Sequence, residues 1–322
     1  MRQRHPVVPA FALLAALALA ALAGGCRPAT ETPGATAEDA DNRLPAQAVL
    51  LHARHLRSND LAAFARDAAP PALHARLQRR WREGGTRWPL QALPFDDRLP
   101  ELLATLAADG AETRLQAGFD SQFAGADAEI RAAAGALAVF GVRYLESDES
   151  YSAAEREHYG QVIGALGRWA TTAPLSDRVR ARGAIARLSA AARAAGLHSD
   201  AAFASAGMEP ALRRLGAFIG TAKAVLRDYG LDLDASFDSV EATLHEQTGD
   251  TARVRLQYVL AGTPVDALVE LERVEGRWYL SEYLRHARAA ASDATPEPPE
   301  AGGALGHNAA DAHATTPVRP VA

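Results

Sequence analysis

Near Ala235 the spacing of apolar residues changes from three-and-four to two, and this switch sets what the chain can fold into. After it, Val240, Ala242 and Leu244 share one face of a first strand. Ala252, Val254, Leu256, Tyr258 and Leu260 share one face of a second. Val265, Ala267, Val269 and Leu271 fit a third, and Trp278 with Leu280 a fourth. A period of two belongs to extended chain with one face buried. Thr248-Gly249-Asp250, Gly262-Thr263-Pro264 and Glu275-Gly276 supply the turns. Four strands joined by short turns predict an antiparallel meander. Its apolar face needs a helical layer, and the helix ending at Tyr229 is the expected partner.

Ahead of the switch the signals are helical. Pro45 opens a helix running to about Arg57, and Ser58-Asn59-Asp60 caps a second over Leu61 to Ala69. Pro70-Pro71 restarts the chain for a third helix to Arg82, stopped by Gly84-Gly85, and Pro100 opens another ending at Gly110. Ser152-Ala153-Ala154-Glu155 is a capping box for a helix with Tyr159, Ile163 and Leu166 on one face, ended by Pro174. Two more, Ser176 to Ala195 and Ala211 to Tyr229, end on Gly-Leu pairs suited to a left-handed C-terminal glycine. Gly141, Gly160, Gly164 and Gly167 lie in helical stretches and predict close helix packing. No fixed repeat period points to a solenoid. The expected class is therefore α+β: a helical domain over 44–210, then an α+β domain over 211–291 with a four-stranded antiparallel meander packed on a helix.

The first residues have a different character. Arg2 and Arg4 precede an apolar run, Phe11 to Ala23, of roughly 13 residues, in the range of a signal-peptide core and short of the ~20 a membrane span needs. Ala23-Gly24-Gly25-Cys26 follows, and Cys26 is the only cysteine among 322 residues. A sole cysteine permits no intramolecular disulfide and no cysteine-based zinc site. The run and tetrapeptide resemble the signal and lipobox of bacterial lipoproteins, with Ala23 where Leu is commonest. That resemblance implies cleavage before Cys26, a diacylglyceryl group on its thiol and a third acyl chain on the new amine. Three chains hold firmly where one alone is marginal. Arg27 stands where Asp would signal inner-membrane retention, so the implied place is the cell envelope, at the outer membrane facing the periplasm. The expected organisation is a signal peptide over 1–25, a Pro/Thr/Ala-rich tether over 26–43, and a disordered tail over 292–322 carrying His307 and His313.

The end of the meander carries a second resemblance. Thr251-Ala252-Arg253-Val254-Arg255-Leu256, Leu268 to Val274, and Glu275-Gly276-Arg277-Trp278-Tyr279-Leu280 resemble the close of NTF2-like lipoprotein domains. Leu56-Arg57-Ser58-Asn59-Asp60 is similar to their opening helices. The resemblance spans about fifty residues and implies helices cradling a curved sheet, an NTF2-like or cystatin-like arrangement. Such folds host enzymes, binding modules and dimerisation modules alike.

Chemistry-bearing residues are few. Glu155, Glu157 and His158 are read as a capping acid, a dipole-favoured second acid and a surface histidine rather than an acid–base group. His52 and His55 share a helix without a third ligand, so no metal and no cofactor are expected. Arg76, Arg79, Arg80, Arg82 and Arg87 around Trp81 and Trp88 form the one basic-aromatic patch, and Arg79, Arg80, Trp81 and Arg82 are its candidate surface for an anionic or cell-wall ligand. Glu241, His245, Arg253, Arg255, Glu270, Glu272 and Arg277 mix signs on the polar face of the meander, as cross-strand ion pairs do. A net charge of -5 argues against nucleic acid as a partner. The expectation is a lipid-anchored envelope protein of binding or assembly function. Its partners would be the membrane through its anchor and another envelope protein. A ligand or enzyme pocket between sheet and helices is the alternative.

Overall fold

The computed structural model describes residues 42–92, 98–148 and 151–292. Cys26, the leader, the tether up to residue 41, and His307 and His313 lie outside the described residues, while Asn42 is buried and its carbonyl accepts from the Trp278 N–H at 2.8 Å. The helices are α1 (Pro45–Arg57), α2 (Leu61–Asp67), α3 (Pro71–Arg82), α4 (Leu99–Ala107), α5 (Ala111–Gln122) and α6 (Asp127–Ser147). They continue as α7 (Ala153–Thr172), α8 (Arg178–Ala195), α9 (Asp200–Ala206), α10 (Met208–Asp228) and α11 (Leu233–Asp238). The strands β1 (Glu241–Thr248), β2 (Thr251–Leu260), β3 (Thr263–Val274) and β4 (Arg277–Leu280) follow, and α12 (Ser281–Ala291) closes the series. The class is α+β, with a four-stranded antiparallel sheet after a helical region.

Local chemistry places most helix starts. Pro45, Pro71 and Pro100 sit in first turns, where a missing N–H costs nothing. Asp60, Ser152, Asp177, Ser199 and Asp232 each accept from a free backbone N–H at the start of α2, α7, α8, α9 and α11. Gly196 ends α8 in the left-handed region at φ 66°.

The sheet runs in the order β1-β2-β3-β4. Ala261 and Gly262, with φ of 49° and 75°, form the middle turn, and Glu275 and Gly276, with 51° and 79°, the last. Two positive φ values in a two-residue loop match the twist of the flanking strands. The middle turn thus lies one residue earlier than Gly262-Thr263-Pro264, and β3 takes in Thr263 and Pro264. Pro264 is tolerated because β4 pairs only with Leu271 to Val274, so β3 has an outer edge at that point. Gln161 of α7 occupies part of that edge. Its side-chain N–H donates to the Asp266 carbonyl at 2.7 Å and its oxygen accepts from the Asp266 N–H at 2.9 Å.

Most of the apolar face of β2 and β3 is closed to solvent, with Ala252, Val254, Leu256, Tyr258, Leu260, Val265, Ala267 and Leu271 buried and Val269 half-buried. That removes the solvent-open hollow a pocket on this face would need. The first strand departs from its expected pattern. Leu244 is exposed, because a bulge between Leu244 and Glu246 turns this edge strand away from the core.

The helical layer over the sheet is also different from the expected one. α1, α7 and α11 pack on it, whereas α10, the helix ending near Tyr229, is surrounded by α2, α3, α8, α9 and α11. Ten residues of α10 are buried, most of its apolar ones in the helical core, and Leu226 alone of them joins the core beneath the sheet. A division at 210/211 likewise does not follow the packing. α1 and α7 come from before it and cover the sheet, while α10 and α12 come from after it and complete the helical core. Leu56, Trp169 and Tyr283 pack against both cores, and the described residues up to Ala291 form one compact unit.

One stripe of α10 fixes the α1–α2 corner. A Cβ on Gly216 would lie 2.2 Å from the Asn59 carbonyl oxygen, so only glycine admits the turn there. Gly220 lies beneath the Asn59 side chain. One turn on, Lys223, the only lysine, donates to the Leu56 and Arg57 carbonyls at 2.9 and 3.1 Å and pairs with Asp234 at 2.5 Å. An ammonium at the carbonyl end of α1 is a favourable place for a cation. Burial lowers its pKa, opposed by Asp234.

Candidate functional site

The basic-aromatic patch loses its aromatic. Leu73, Leu77 and Trp81 are four residues apart on α3 and form its buried stripe. Trp81 is 1% exposed, and its indole N–H donates to the Phe203 carbonyl at 2.8 Å. Trp88 is fully buried. The expectation that Trp81 belongs to a surface patch is therefore corrected by helical spacing. Arg79 and Arg82 are exposed and Arg80 is half-buried, in the last turn of α3, where they answer its carbonyl end. Arg87 pairs with Asp200 instead.

A second group of polar residues converges where α7 meets β2 and α12. Ser152 and Glu155 form the expected capping box: the Ser152 hydroxyl accepts from the Glu155 N–H at 3.2 Å, and the Glu155 carboxylate from the Ser152 N–H at 2.6 Å. The same carboxylate accepts from Arg285 of α12 at 2.9 Å. His158 is not a surface histidine. Its Nε2 lies 2.8 Å from the Tyr258 hydroxyl of β2, and burial holds its pKa down at about 4, so it is neutral near pH 7. Tyr159 donates to Glu282 at 2.6 Å. Burial raises the pKa of Glu282, partly offset by that hydrogen bond, and burial followed by the Glu282 charge raises that of Tyr159. Glu157 is exposed.

A carboxyl with raised pKa beside a hydroxyl is chemistry that could serve a general acid. Here the polar tips are spent on one another. Glu155–Arg285, His158–Tyr258, Tyr159–Glu282 and Gln161–Asp266 are successive ties from one face of α7 to three other elements. The group acts as a polar seam of the fold. The Tyr159–Glu282 half was not readable beforehand, because Glu282 sits 123 residues away on a helix whose apolar face is mostly alanine.

The other candidates resolve into structural roles. His52 is fully buried, with its Nδ1 2.7 Å from the Ala48 carbonyl and its ring edge-on to Phe64 at 5.1 Å. Burial lowers its pKa to about 4. His55 turns instead to Asp67 of α2 at 2.7 Å. Among the described residues no group of three His, Cys, Asp or Glu side chains is placed to hold a metal ion. A shallow groove lined by Arg180, Gly183, Ala186, Arg187 and Asp228 is occupied by its own pairings, Arg180 to the Asp228 carbonyl and Arg187 to its carboxylate. On the meander, Arg253 pairs with Glu246, Arg255 with Asp266, Arg273 with Asp250, and Arg288 of α12 with Glu272. The first two run between strands as expected, with Glu246 and Asp266 as the acids, whereas Arg273 meets a turn residue and Glu272 is taken by the closing helix.

The outstanding surface is α6. It packs along α7, its one substantial contact among the described elements. There the backbones come close: a Cβ on Gly167 would lie 2.6 Å from the Ala138 methyl, and one on Gly141 would lie 3.4 Å from Ile163. Gly160 and Gly164 make no such interhelical approach. Only Leu145 of α6 is buried. On the opposite side Leu137, Val139, Phe140 and Tyr144 are 64, 61, 66 and 54% exposed. Large apolar side chains exposed together on one helix are uncommon on a folded chain. No helix of the described residues is long and apolar enough to cross a membrane. No family model matches the chain, and no curated protein or solved structure matches it either.

Proposed function

We propose that the protein is a lipoprotein of the cell envelope, held through lipid on Cys26 and acting there by binding or assembly rather than by catalysis. One observation carries the anchor: the sole cysteine of the chain directly follows the Phe11–Ala23 apolar run and Gly24-Gly25. The exposed apolar side of α6 supports the binding half of the reading, since such a side is stabilised by a partner. The sheet with α1 and α7 over it is assigned an NTF2-like relationship. The supporting features are the short opening helices, the meander and the closing Gly276-Arg277-Trp278 hairpin. On this reading the anchor faces the periplasm at the outer membrane.

Metabolic labelling with an alkyne fatty acid, followed by intact-mass measurement of the mature chain, tests the anchor. The wild type is expected to begin at Cys26 and to carry acyl groups, and Cys26→Ser to remain unlabelled and uncleaved. An unlabelled wild-type chain, or one retaining its leader, removes the proposal.

A further inference from the structure

We propose that a second copy of this chain docks on the exposed side of α6, with the two α6 helices antiparallel about a two-fold axis at Ala136. The side turned away from α7 runs from Ala128 and Glu129 through Ala136 and Phe140 to Tyr144, with Glu146 and Ser147 continuing it at the C-terminal end, all exposed. At 100° per residue these positions form one stripe, opposite the one that carries Ala138 and Leu145.

The stripe is self-complementary in one direction only. Its two central charges, Glu129 and Arg143, stand seven residues on either side of Ala136, and a third, Glu146, lies on the flank at the azimuth of Ala128. An antiparallel pair centred on Ala136 sets each Arg143 against the other copy's Glu129. A parallel pair sets Arg143 against Arg143 and Glu129 against Glu129. Side-chain size follows the same rule. The large residues lie in the C-terminal half and the alanines in the N-terminal half. Antiparallel pairing about Ala136 sets Phe140 level with Ala132 near the centre of the contact, and on each flank a large residue of one copy lies beside an alanine of the other, Phe140 by Ala133 and Val139 by Ala132. At the axis Ala136 meets Ala136, letting the helices approach toward the short end of the ~8–10 Å range of helix pairs. A two-fold contact of this kind is isologous and closes on itself, so it ends at a dimer. Gly167 and Gly141 hold α6 tightly to α7, so α7 backs the surface in each copy.

The occupant fits a protein face better than a lipid surface. A helix lying in a membrane interface carries its cations on the polar side and leaves the buried side apolar. Here an acid and a base, Glu129 and Arg143, lie along the centre of the stripe itself.

The test uses the full-length chain in its own envelope. Ala136→Cys, treated in intact cells with a short bis-maleimide, is expected to link two copies. Val179→Cys, exposed on α8, is expected to stay unlinked. In detergent extracts, Glu129→Arg or Arg143→Glu alone is expected to weaken self-association by about tenfold, from like charges brought face to face. The double swap Glu129→Arg/Arg143→Glu restores it, with thermal melting of the monomer unchanged throughout. A double swap no better than the singles overturns the antiparallel geometry. Linkage of Ala136→Cys to a different protein, or a wild-type chain that sediments as a monomer at all concentrations, overturns the second copy as occupant. The charge-swap and sedimentation outcomes do not depend on the lipid at Cys26, and the crosslink is scored against the wild type, in which an unacylated Cys26 would itself react.

Discussion

Helices α10 and α6 have the same length, 21 residues, and opposite surroundings. α10 buries ten of its residues among five helices, while α6 buries one and leans on a single neighbour. α6 is nevertheless the more apolar of the two on average. Total apolarity therefore does not decide which helix is interior; segregation does. In α10 the apolar residues gather on faces that neighbours cover, and arginines such as Arg213, Arg214 and Arg227 take the remainder. In α6 small and large apolar residues run right round the helix, more than α7 alone can cover.

The contrast can be broken most strongly from the α10 side. Leu215→Ala removes a fully buried side chain and is expected to cost about 3–4 kcal/mol, read as a lowered urea midpoint at unchanged slope. Acid gives the next effect, and it acts where α1 packs on α2, at His52 beside Phe64. His52 titrates at about 4 in the folded chain against 6.5 in the open one, because burial outweighs its hydrogen bond to Ala48 and the Asp67 charge. The unfolded chain binds the proton first. Stability is full above pH 6.5 and falls as pH drops toward 4, by about 3 kcal/mol from this residue. His158 shares the window. Melting temperature against pH checks the slope, which His52→Leu is expected to flatten. Gly216→Ala drives a methyl against the Asn59 carbonyl and is expected to cost about 2 kcal/mol by the same urea measurement. Leu137→Ser on α6 should stay within about 0.5 kcal/mol. A larger loss in the monomer would mean that the stripe is already covered within the chain.

Features fixed by neighbours in sequence were legible beforehand. The Ser152–Glu155 capping box, the proline starts and the two-residue period of β2 and β3 rest on contacts a few residues apart. Features set by distant partners were not. Trp81 was read beside its charged neighbours, whereas the spacing to Leu73 and Leu77 turns it inward. β4 breaks alternation because Trp278 and Leu280 join the sheet core while Tyr279 joins the helical one. α12 went unread because Ala287 and Ala291 make a faint stripe, and its docking on α3 and β4 supplies the definition. The polar seam joins residues about a hundred positions apart, and nothing local in Glu282 announces Tyr159.

The amide of Gln161 has a consequence for solubility. A strand edge with unused N–H and C=O groups is a template on which another chain can polymerise. β4 guards only the last third of β3, and farther along the same edge Gln161 occupies Asp266 by imitating one peptide group of a missing strand. At the far margin of the sheet, β1 answers the same hazard with a bulge and a row of charged and polar side chains. The meander is thereby capped against growth in both directions, leaving α6 as the surface on which association can proceed without running on into a fibre.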